Sequence, residues 1–65
     1  MMYTVFDPVE EQYLKAIVPL RLGGRCYYWT KDPLLSKVYL ALNGARRMAE
    51  LLGCEVQDME GNTCQ

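Results

Sequence analysis

Residues 42–53, Leu42-Asn43-Gly44-Ala45-Arg46-Arg47-Met48-Ala49-Glu50-Leu51-Leu52-Gly53, decide the fold. An Asn-Gly pair between apolar segments is the strongest short-range signal for a β-hairpin. The residues beyond it argue otherwise. Leu42, Ala45, Met48, Ala49 and Leu52 recur at helical spacing on one stripe, while Arg46, Arg47 and Glu50 fall outside it. Gly53 supplies a helix stop, and Gly44 then sits in the first turn, where its conformational cost is small. The segment is therefore expected to be a helix over about residues 42–53.

Strands flank that helix on both sides. Ahead of it, residues 37–42 (KVYLAL) form a β-branched and aromatic run, and behind it Cys54-Glu55-Val56-Gln57 alternates apolar with polar. An intervening helix of this length permits a crossover that leaves the last strand parallel to its predecessor. Further out, residues 25–30 (RCYYWT) read as a strand bounded by Gly23-Gly24 and by Lys31-Asp32-Pro33, with an irregular turn through 34–36. Residues 2–6 (MYTVF) read as another. Two readings compete for residues 8–18. Asp7 as cap and Pro8 at the first position would start a short helix. Alternatively DPVEE is a hairpin loop into a second strand, preferred because a helix ending before Pro19 would have few turns and no glycine stop.

The expected fold class is α+β: a small, mainly antiparallel sheet of about four to five strands, covered on one face by the helix. A single domain is expected over 1–57, with 58–65 as a flexible tail. A folded domain of 65 residues hides only about 60% of its unfolded surface, so its stability margin is thin and a homodimer is compatible with its size.

No apolar run reaches the roughly 18 residues that span a bilayer, and MMYTVFDP lacks the basic start and apolar centre of a signal peptide. The expected location is the cytosol of a bacterial host. Cys26, Cys54 and Cys64 are odd in number and widely spaced, which suits reduced thiols. The net charge of −1 hides a segregation: all seven basic residues lie between Lys15 and Arg47, with Asp32 the single acid among them. Such a block can steer toward an anionic partner.

The parts of an active site are scarce. There is no His, Ser36 is the lone serine, and the three Cys lack zinc-site spacing. Gly23-Gly24 lacks the rest of a phosphate loop. The chain is read as non-enzymatic, with no cofactor and no metal. The remaining constellation is a sheet face. Alternation along 25–31 puts Arg25, Tyr27, Trp29 and Lys31 on one face, and Cys26, Tyr28 and Thr30 on the other. Placing Cys26, Tyr28, Val38, Leu40 and Leu42 under the helix leaves Arg25, Tyr27, Trp29, Lys31, Lys37 and Tyr39 on the open face, joined by Tyr13 and Lys15. Arg46 and Arg47 are possible additions on the helix. Aromatic rings framed by cations suit nucleic-acid stacking and protein hot spots alike. Side chains that merely stabilise a thin sheet would look the same.

The run GRCYYWTKDPLLSKVYLAL and the helix after it, Gly24 to Leu51, resemble the arm-site DNA-binding domain of phage integrases. That resemblance implies DNA contacts by Arg25, Lys31 and Lys37, although the chain lacks a basic N-terminal arm. The whole chain, with YYWTKDP before an ARRMAELLG helix and a closing strand, also resembles small phage-encoded accessory and inhibitor proteins of the anti-CRISPR type. Such a resemblance implies binding to, and inhibition of, a host protein or nucleoprotein complex, and carries over no individual residue. The leading expectation is a non-enzymatic phage or mobile-element inhibitor using Tyr27 and Trp29 as anchors. The alternative is a DNA-binding module using the same face.

Overall fold

The structure, a computed structural model, describes residues 1–64. Five strands and one α-helix follow in the order β1 (Tyr3–Asp7), β2 (Gln12–Pro19), β3 (Arg25–Thr30), a single 3-10 turn (Pro33–Leu35), α1 (Leu42–Leu52), β4 (Glu55–Asp58) and β5 (Thr63–Cys64). The sheet runs β3-β2-β1-β4-β5, and every neighbouring pair is antiparallel. The expected α+β class holds.

Local chemistry explains the turns. Asp7 accepts backbone N–H groups of Val9 at 3.0 Å and Glu10 at 3.4 Å, and Glu11 takes a left-handed φ of 53°, so residues 8–11 close a hairpin rather than start a helix. The β2–β3 turn is a three-residue loop in which Gly23 donates to the Leu20 carbonyl at 3.2 Å and Leu20 donates to that of Gly24 at 3.0 Å. Gly23 and Gly24 have φ of 100° and 83°, which other residues adopt only under strain.

The Asn43-Gly44 pair lies inside the first turn of α1, as its helical neighbours require. At the other end Gly53, at φ 68°, donates to Glu50 at 3.4 Å while Cys54 donates to Ala49 at 2.7 Å. Those two bonds make a Schellman stop and satisfy carbonyls that the helix leaves free. Ala45 and Ala49 face the sheet, 0% and 4% exposed, and their small side chains let the helix lie close over Val5 of β1 and Val56 of β4. Leu42, Met48 and Leu52 complete the expected apolar stripe around this core, which Leu14 of β2 closes.

Two of the expected elements require correction. Residues 37–42 do not form a full strand: only Tyr39 pairs, antiparallel to Tyr3, with reciprocal backbone bonds of 2.8 Å. Lys37 donates to the Leu14 carbonyl at 2.8 Å. The segment thus bridges β1 and β2 where they diverge, a gap that admits one short wedge. The expected strand parallel to β4 is thus reduced to this one bridge: Tyr39 and β4 are both antiparallel to β1, on opposite sides of it, and α1 crosses over β1 between them. The second correction concerns 58–64, expected as part of a flexible tail. Asp58 accepts N–H groups of Glu60 and Asn62, each at 2.9 Å, turning the chain so that Thr63 and Cys64 pair with β4. Gln65 lies outside the described residues.

Candidate functional site

The facing of β3 is opposite to that expected. Trp29 sits across from Leu14 and Tyr27 across from Ile17, and all four belong to the core side of the sheet. Tyr28 instead lies on the outer face, 50% exposed. The cause is a β-bulge in β2 between Leu14 and Ala16. An extra residue at Lys15 lets Leu14 and Ile17, of unlike parity, face the same way. Their neighbours Trp29 and Tyr27 therefore point toward the helix side. Cys26 and Tyr28, expected beneath the helix, are turned away from it.

Tyr39 also joins the core rather than an open face. Its hydroxyl is buried and has no hydrogen-bond partner among the described residues, and burial, reinforced by Tyr27, pushes its phenol above the usual range. Lys37 stands 5.5 Å from the centre of the Tyr39 ring, a cation–π contact at the surface. The Tyr39 ring lies beside Gly44, where an added Cβ would meet it at 3.6 Å, an ordinary van der Waals contact.

The cations remain outside. Arg25, Lys31, Lys37, Arg46 and Arg47 are exposed, but they no longer frame a shared aromatic platform. Lys31 is tied back to the Glu10 carbonyl, which locks the end of β3 to the first hairpin. Arg46 lines a groove of about 360 Å³ between α1 and the β4–β5 edge, together with Glu50, Glu55, Cys54 and Cys64. Burial, with Asp7 and Glu55 adding to it, raises the Cys54 thiol and makes it a poor nucleophile. Among the described residues no cluster of three metal-ligating side chains occurs.

The outer face carries different rings. Phe6 and Tyr13 face each other across β1 and β2, centroids 4.9 Å apart and planes 51° tilted. Tyr28 is joined by Cys26, whose hydrogen bond is the main cause of the raised Tyr28 phenol. Phe6 carries no expected role, and Tyr28 was expected in the core. One signal for this reversal was legible: Leu14-Lys15-Ala16-Ile17 spaces its large apolar residues three apart, which breaks strand alternation.

A separate surface lies at the β2–β3 apex. Leu22 is 98% exposed and Leu20 52% exposed, with Arg21 between them on a loop held by two glycines. Leu22, almost wholly in water at the hairpin tip, contributes nothing to the core, and Leu20 leaves about half of its surface in water. Comparison with protein-family models, with characterised proteins and with solved structures finds no match for this chain.

Proposed function

We propose that the protein is a small non-enzymatic binding protein of the phage or mobile-element accessory kind, acting in the cytosol of a bacterial host. It inserts its β2–β3 apex into an apolar pocket on a host protein complex and blocks that surface. The observation that carries this reading is the apex itself, where Leu20 and Leu22 are presented to solvent around Arg21. A preordered loop binds without a large ordering cost. Arginine is a frequent hot-spot residue, and Arg21 between the two leucines favours an apolar pocket rimmed by acids.

The nucleic-acid alternative keeps its exposed cations. Its stacking rings, Tyr27 and Trp29, are turned toward the core. The two readings separate in one experiment. Tagged protein is used to capture partners from a bacterial lysate with and without nuclease, beside the Leu22→Asp variant. A protein partner that survives nuclease and is lost with Leu22→Asp supports the proposal. Retention of nucleic acid alone, or capture indifferent to Leu22→Asp, overturns it. Binding to isolated duplex DNA that falls steeply with salt would establish the alternative.

A further inference from the structure

We propose that β3 pairs edge to edge with β3 of a second copy, antiparallel, with the two Tyr27 residues opposite one another on a two-fold axis. The sheet has two ends. One is β5, blunted to two residues; the other is β3, six residues long. No strand among the described residues covers the outer side of β3. An edge of that length carries unpaired backbone groups that seek a partner strand.

The hairpin identifies which groups those are. Leu20 and Gly24 are hydrogen-bonded across the turn. Alternation along an antiparallel ladder then makes Val18 with Cys26, and Ala16 with Tyr28, the bonded pairs of β2 and β3. Arg25, Tyr27 and Trp29 therefore direct their N–H and C=O groups outward. Pro19 agrees with this phase, since it sits opposite Arg25, where the ladder asks no N–H of it.

Charge and bond number select the register. A continuous sheet requires residues of the same face to meet, so the axis falls on a residue rather than between two. Centring on Tyr28 would set Arg25 against Lys31 twice, a like-charge clash. Centring on Tyr27 sets Arg25 against Trp29 of the other copy, a cation above an indole, and Cys26 against Tyr28. It also engages all three outward residues of each strand, about six hydrogen bonds in total when each bonded pair exchanges two. The second copy is thus favoured by the edge's own sequence, and the apex residues stay free for a different partner.

The test combines mass and position. Sedimentation equilibrium of the wild-type chain from micromolar to near-millimolar concentration should show a species of about twice the 7.5 kDa protomer. Tyr28→Cys places a new thiol directly opposite the native Cys26 of the other copy, at a non-hydrogen-bonded site whose Cα spacing of about 4.5 Å suits a disulfide. Mild oxidation followed by peptide mapping should give a covalent dimer linked between position 28 and Cys26. Retained Trp29 emission reports that the variant is folded. A wild-type chain that stays monomeric throughout overturns the proposal. So does a dimer whose oxidised variant links through Cys54 or Cys64, or through position 28 to itself.

Discussion

Leu14→Ala and Leu22→Ala make the same chemical change in two places, and the structure assigns them opposite consequences. Leu14 is 0% exposed and Leu22 is 98% exposed. Truncating a buried leucine removes its transfer free energy and leaves a cavity, together about 3 kcal/mol. A chain of this length has a total stability of roughly 3–10 kcal/mol. Leu14→Ala should thus remove a third of the stability or more, whereas Leu22→Ala should stay within about 0.5 kcal/mol of wild type. Trp29, the lone tryptophan, lies opposite Leu14 and reports the transition. In urea, with a slope of about 1 kcal/mol/M for so small a protein, the midpoint should fall by about 3 M for Leu14→Ala and hardly move for Leu22→Ala. Native Trp29 emission should shift to the red in Leu14→Ala alone. A Leu14→Ala midpoint within about 0.5 M of wild type would sink the bulge-based facing of the sheet.

The helix N-terminus offers a stabilising change: Ala41 has extended dihedrals and no side-chain cap, so Ala41→Ser should gain about 1 kcal/mol in thermal or urea melts. Glycine substitutions should split by backbone geometry. Gly53→Ala forces a φ of 68° on a side chain and should cost about 1 kcal/mol, whereas Gly44→Ala meets only ordinary contact and should stabilise by a similar amount. Asp58 is held below the usual carboxylate range, chiefly by the Asn62 N–H, with those of Glu60 and Gly61 also contributing. Its contribution is present above a pH of about 4 and is lost as pH falls through the lowered folded-state value, so Asp58→Asn should flatten the acid limb of the stability profile. An unchanged acid limb would count against the turn.

Elements with strong local signals were legible from sequence. The helix survived a contrary Asn-Gly pair because eleven residues of period and a glycine stop outweigh one dipeptide. The first hairpin followed from Asp7-Pro8 and the short reach to Pro19. Segment 37–42 misled because its composition suits a strand, while its backbone finds only the narrow opening between β1 and β2. Composition reports what a residue can pair with, and says nothing of whether an edge is vacant. The β5 pairing was hidden for a related reason: two residues carry no period, and the Asp58 side chain that turns the chain is a local polar device rather than a pattern.

The facing of β3 shows how one residue decides a candidate site. Within β3 the alternation holds without interruption, so its two sets of side chains were separable from sequence. Which set faces the helix depends on its neighbour, and the neighbour changes parity at Lys15. The bulge leaves the alternation of β3 intact, yet it provides apolar partners for Tyr27 and Trp29 on the core side. The same parity fixes the backbone: residues whose side chains face the core are those whose N–H and C=O groups face outward from the edge. Arg25, Tyr27 and Trp29 thus serve two roles through different atoms, the rings of Tyr27 and Trp29 in packing and the three backbones in a vacant ladder. An aromatic cluster flanked by cations had pointed to a ring-stacking surface. In the folded chain the rings of Tyr27 and Trp29 pack against the core, Tyr28 stays half exposed on the outer face, and the edge of the strand is left to its backbone.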